Sequence, residues 1–103
     1  MFGLFGKLKA QDGQRDALIQ HLLHAADALR QMESCYLYVI SADSSDPNGI
    51  WVMEAWRSQA DHQASLSLAT IQQIIAVARP LIAGMGERFE LHPIGGKGLV
   101  QGQ

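Results

Sequence analysis

A chain of 103 residues is long enough for one compact domain and too short for two. Its formal charge is −2, from 8 basic and 10 acidic residues spread along the chain, with no basic block to seat on nucleic acid. The single cysteine, Cys35, excludes an internal disulfide and any zinc site that needs two thiolates from one chain.

The first stretch, "MFGLFGKLKA", has too short an apolar run for a secretory leader, and Lys7 and Lys9 follow that run instead of preceding it. No stretch is apolar for long enough to span a bilayer, so the expectation is a soluble, cytoplasmic domain with no membrane partner. Phe2, Leu4 and Leu8 alternate with Phe5, Lys7 and Lys9, which predicts a strand weakened by Gly3 and Gly6. "QDG" then turns the chain and offers Asp12 as a helix cap. Gln14 to Glu33 predicts a helix, because Leu18, Leu22, Ala25, Ala26, Leu29 and Met32 recur at steps of three and four. His21, His24 and Asp27 step along the same helix, but its angular drift carries His24 and Asp27 to the side away from Leu22 and Leu29. They read as a solvated face, and no metal site is expected.

"CYLYVISA", Cys35 to Ala42, is β-branched and aromatic with apolar residues on both faces, and predicts a strand. "DSSDPNG" carries Asp-Pro and Asn-Gly turn signals, and Ile50 to Trp56 forms the second strand of an antiparallel hairpin. Ser58 with Asp61 three residues on resembles a capping box and starts a short helix. Ser67 and Leu68 start another, with Ile71, Ile74, Ile75, Ala78 and Ile82 as its stripe, and Pro80 bends or ends it. "AGMGE" reads as a break, Arg88 to Ile94 as the last strand, and the glycine-rich end as a mobile tail from residue 96, leaving 1–95 as the domain. The order β-α-β-β-α-β predicts a ferredoxin-like α+β fold with a four-stranded antiparallel sheet and helices on one face. The apolar residues on both faces of the hairpin call for a cover over the bare face, most simply a second copy of the chain.

The chemistry-bearing residues cluster in "EAWRSQADHQASL". Glu54 and Trp56 are two apart on a strand and share a face. A carboxylate beside an indole in a poorly hydrated place gains basicity, whereas the structural alternative has Glu54 paired with an arginine and Trp56 filling the core. His62 lies one helical turn before Leu66 and turns toward Trp56 if Leu66 is buried, where a neutral imidazole takes a phenolic proton; otherwise it is a helix-start residue facing water. Tyr36 and Tyr38 are expected on one strand face, as ring packing or as substrate contacts. Arg79 flanks the next helix's stripe, as a surface ion pair or as a group steadying an anion. Cys35 has no activating neighbour, and "GGKG" lacks the rest of a phosphate loop.

"WVMEAWRSQADHQASL" resembles the strand, corner and helix of the antibiotic biosynthesis monooxygenase (ABM) family. "IIAVARPLIAG" resembles that family's next helix and "FELHPIGGKGL" its last strand. The resemblance implies a homodimeric α+β barrel and a cofactor-independent oxygenase of quinols or polycyclic phenols. Under it, His62 or Glu54 would take the proton, Trp56, Tyr36 and Tyr38 would line a site for a small aromatic or quinone-like ligand, and Arg79 would face the anion. The haem-degrading branch is similar in fold but carries an Asn on its first strand, which this chain lacks, and Ser65 stands where several members have His. The alternatives are a non-catalytic dimer that binds a small molecule and a cofactor-free isomerase of a small metabolite.

Overall fold

The computed structural model describes residues 1–99. The elements run β1 (Phe2–Ala10), α1 (Arg15–Leu29), β2 (Cys35–Ala42), β3 (Gly49–Trp56), α2 (Gln59–Ser65), α3 (Ala69–Ala78), a 3-10 turn (Arg79–Leu81) and β4 (Ile82–Leu91). The strands form one four-stranded sheet in the order β2-β3-β1-β4, and all of its pairs are antiparallel. The ferredoxin-like α+β arrangement expected from the element order is the one observed.

The helix-facing side of the sheet is built from alternate residues of each strand. Phe2 and Leu4 of β1 and Val52 and Trp56 of β3 meet Leu18, Ala25 and Leu29 of α1 and Ile71 and Ala78 of α3 in two adjoining apolar clusters. Trp56, Leu18 and Ile50 are the largest fully buried side chains. The apolar stripe read from the sequence is therefore the face that α1 buries.

α1 ends at Leu29, a turn earlier than its periodicity predicts. Arg30 N–H donates to Asp27 O at 3.2 Å and Met32 N–H to Leu29 O at 3.0 Å, three-residue bonds that tighten the chain into β2 while Met32 still packs on the core. Asp12 does not cap α1. It accepts a bond from Asn48 Nδ2 at 2.7 Å, and the residue preceding the helix, Gln14, makes no side-chain cap. At α2 the N-cap half of the predicted capping box forms, and Asp61 bonds the Ser58 hydroxyl instead of its backbone N–H. Ser58 Oγ accepts from Asp61 N–H at 3.1 Å and donates to Asp61 Oδ2 at 2.8 Å.

Pro80 ends α3, and the chain passes through the 3-10 turn directly into β4. The predicted break at "AGMGE" is not a break: these residues lie within β4, paired to β1 across two register shifts. A β-carbon built on Gly86 would stand 3.0 Å from Lys7 Cβ, so a larger residue at the bulge would press on the Lys7 side chain. β4 ends at Leu91, earlier than predicted. Of the tail expected from residue 96, residues 100–103 lie outside the described residues.

Among the described residues, the opposite side of the sheet carries no helix. There Phe5 stacks on Trp51 at 4.7 Å between ring centroids and lies 6.4 Å from Phe89, and Val39, Met53, Phe89 and Leu91 are exposed. No helix among the described residues is long and apolar enough to cross a membrane.

Candidate active site

Glu54 sits at the middle of β3 with Tyr38 opposite it on β2 and Leu4 opposite it on β1, so its side chain rises from the sheet into the layer beneath the helices. Two residues on, Trp56 lies along the same face and donates its indole Nε1–H to Glu54 Oε1 at 3.0 Å. The Ser58 cap sets the direction of α2, and that direction turns His62 back over the strand. The His62 ring packs edge-on against Trp56 at 5.5 Å and tilts against Phe2 at 5.7 Å. Its Nε2 stands 3.7 Å from Glu54 Oε1, too long for a hydrogen bond but close enough for a polar contact, and the side chains of His62 and Glu54 are 12% and 15% exposed.

The electrostatics follow from this packing. Burial among apolar side chains pushes the Glu54 carboxyl above the ordinary glutamate range, against the smaller opposing effects of the Trp56 indole, the His62 ring and the Arg88 guanidinium. Burial, followed by the nearby Glu54 charge, drives the Tyr38 phenol well above its usual range. The same two influences push the Cys35 thiol up to about 11, which makes it an inert packing group. His62 Nδ1 is buried without a hydrogen-bond partner among the described residues. A proton there would be an unsatisfied donor, so the tautomer that fits carries its hydrogen on Nε2, toward Glu54.

Two cavities meet at this point. The inner one, about 180 Å³, lies under α2 and α3 and is walled by Trp56, His62, Ile71, Ile74 and Ile75 among others, with Ser65 and Arg79 also on its boundary. The second, about 340 Å³, lies between α1 and the β1–β4 pair and is walled by Leu4, Leu8, Val52, Met85 and Arg88 among others. Leu22, Tyr38 and Glu54 line both.

Of the residues singled out from the sequence, Glu54, Trp56, His62, Tyr38 and Arg79 are therefore brought to the walls of the inner cavity. Tyr36 is not. A bulge between Cys35 and Leu37 puts an extra residue opposite β3, so Cys35 and Tyr38 share the helix-facing side, and Tyr36 lies in an edge groove with Ala26, Leu29 and Arg30. The two-residue alternation that would align Tyr36 with Tyr38 fails at that bulge. Leu66 is exposed, so His62 turns inward through its contacts with Phe2 and Trp56 and not by sharing a buried face with Leu66. Ser65 is buried, and its hydroxyl donates to His62 O at 2.6 Å. Leu22 and Arg88 carried no sequence signal beyond their place in an element, and Met85 fell in the expected break.

The antibiotic biosynthesis monooxygenase model matches residues 1–77, which include β1, the Glu54–Trp56 strand, α2 and nearly all of α3. The chain belongs to the antibiotic biosynthesis monooxygenase family. A solved ABM candidate from Chloroflexus aurantiacus J-10-fl is 47% identical over 95% of this chain and 97% of its own, with a TM-score of 0.88. A second, from Deinococcus radiodurans, is 27% identical over 93% of this chain and 95% of its own, with a TM-score of 0.78. A third, from Caulobacter crescentus CB15, shares the fold at 18% identity, covering 91% of this chain and 90% of its own with a TM-score of 0.82. No curated protein matches the chain. The ABM assignment supports a monooxygenase-like function on this fold.

Proposed function

We propose that this ABM protein is a cofactor-independent monooxygenase that uses O2 to oxidise a quinol or a related phenolic ring, with Glu54 as the group that takes the phenolic proton. The observation that carries this reading is a buried carboxylate, its basicity raised by apolar surroundings, standing where two largely apolar cavities meet. The substrate hydroxyl gives its proton to Glu54, and the electron-rich phenolate passes one electron to O2. The resulting ring radical and superoxide combine into a carbon–oxygen bond, and loss of water from the peroxide leaves a hydroxylated quinone. One oxygen atom stays on the ring and the other leaves as water, so hydroquinone and O2 become hydroxyquinone and H2O with no other reductant.

Trp56 has two tasks here. Its ring walls the inner cavity, and its N–H fixes Oε1 of Glu54, leaving Oε2 for the substrate. His62 buttresses Trp56 and faces Glu54, so it acts as a positioning residue. Tyr38, held neutral by burial, is a hydroxyl donor for a ring oxygen, and Arg79 at the cavity boundary offers positive charge to the developing anion. Tyr36, in its edge groove, supports no direct substrate contact in this arrangement. We assign the working unit as a cytoplasmic homodimer joined through the helix-free faces, where exposed Val39, Met53, Phe89 and Leu91 surround the Phe5–Trp51 stack.

Oxygen uptake with a panel of hydroquinones tests the assignment. Glu54→Gln is expected to lose nearly all uptake and His62→Ala to retain part of it. Full activity in Glu54→Gln rejects Glu54 as the base, and no uptake from the unmodified protein with any quinol removes the oxygenase reading in favour of a binding dimer.

A further inference from the structure

The two cavities differ in shape, and the difference bears on the form of the substrate. The inner cavity, about 180 Å³, is roofed by α2 and α3 and is the more enclosed. A dry apolar cavity of about 150 Å³ holds one benzene ring, so the inner space suits one small ring and is too small for three or four fused ones. The outer cavity, about 340 Å³, extends from Glu54 along the β1–β4 bulge toward exposed Met85. Aliphatic Leu4, Val52 and Leu8 line it beside the charged Lys7, Glu87 and Arg88. Leu22 of α1 and Tyr38 of β2 stand with Glu54 at the junction, so a molecule reaching from one space to the other passes these three side chains.

Resting on the quinol reading above, we propose that the substrate is a single-ring quinol carrying an extended apolar substituent, with the ring in the inner cavity, the substituent passing Leu22 and Tyr38, and its far end lying along Val52, Leu8 and Met85. A substrate confined to the ring leaves the larger cavity unfilled. A rigid polycycle of three or four fused rings is too large for the inner cavity. Leu22, Tyr38 and Met85 are then the residues that set chain-length preference.

Calorimetric titration without oxygen, using hydroquinones with n-alkyl chains of increasing length, reads this directly. Each of the first several methylenes is expected to tighten binding about fourfold, the equivalent of ~0.8 kcal/mol per buried methylene, and the gain should level off once the chain passes Met85. The octyl-to-unsubstituted affinity ratio should collapse in Leu22→Trp, which narrows the junction. It should also collapse in Met85→Asp, a change at an exposed position that keeps the test available if the Trp variant does not fold. A dissociation constant that is flat with chain length, an unchanged ratio in Met85→Asp, or no binding by any hydroquinone overturns the proposal. Steep chain dependence without oxygen uptake once air is admitted upholds the two-cavity substrate and rejects the oxygenase reading. Uptake with flat chain dependence does the reverse.

Discussion

Two carboxylates in this molecule each accept a bond from a tryptophan indole, and they end in opposite states. Trp56 Nε1–H donates to Glu54 at 3.0 Å on the helix side of the sheet, and Trp51 Nε1–H donates to Asp43 at 2.9 Å on the other side. Their side chains are similarly enclosed, 15% exposed for Glu54 and 12% for Asp43. Yet Glu54 is pushed above its ordinary range, while Asp43 is held far below its own by the backbone N–H of Ser45, then by Trp51, the Ser45 hydroxyl and Lys7. Asp46 beside it is also lowered, first by the backbone N–H of Asn48 and then by Lys7. Surface exposure alone therefore does not set basicity. Glu54 lies amid hydrocarbon with one close donor, so lost hydration dominates, whereas Asp43 lies in a loop with several donors and their hydrogen bonds dominate. The Asp43 cluster ties the β2–β3 loop to β1, whereas Glu54 keeps an unspent oxygen.

The largest test of that contrast is Glu54→Gln. If Glu54 is the base, quinol-dependent oxygen uptake should fall by roughly 10²- to 10⁴-fold, and in the unmodified protein the acid limb of activity should lie above the ordinary glutamate range, because the ionised form does the work. Next in size is Trp56→Ala. Trp56 is one of the largest fully buried side chains, and its loss should cost about 3–5 kcal/mol in urea unfolding; a loss below about 1 kcal/mol would show that the site does not depend on it for packing.

The pH dependence of stability is a subtler probe. In the unfolded chain Glu54 ionises in the ordinary range, and in the folded chain it holds its proton to higher pH. The folded state then binds more protons between those values, so the stability Glu54 contributes is whole below the ordinary range and is lost as pH rises through the raised value. Relative to the unmodified protein, Glu54→Gln should gain in urea midpoint as pH rises from the ordinary glutamate range through the raised value. Asp43 and Asp46 have the opposite sign. Their contribution is whole above the ordinary aspartate range and is lost as pH falls through their depressed values. The smallest effect should separate the two indoles. Trp56→Phe leaves Glu54 without its one close donor and should move the acid limb of activity upward. Trp51→Phe, whose ring still stacks on Phe5 and whose Asp43 keeps Ser45 and Lys7, should move the acid unfolding of the protein only slightly. Equal shifts in the two variants would end the argument from donor number.

Much of this was legible in the residues. Two-residue alternation placed Glu54 and Trp56 on one face of β3, and the Ser58–Asp61 pair marked the start of α2 that brings His62 over them. Two local readings failed for definite reasons. Gly84 and Gly86 looked like a break because glycine weakens isolated strands, but β1 supplies the partner, and the Lys7 side chain packs close over Gly86. Tyr36 looked aligned with Tyr38 because a bulge is a property of pairing and leaves no mark in a single strand.

The sequence by itself determined the element order, the buried stripe of α1 and the neighbourhood of Glu54, Trp56 and His62, because each depends on the period of a helix or a strand and on a local cap. Only the tertiary structure decided that Leu22, Tyr38 and Glu54 stand at the meeting of two cavities, and that Met85 and Arg88 face one of them. Those spaces are bounded by α1, β2, β3 and β4 together, and empty volume between distant elements is a consequence of how they pack, which no local pattern encodes.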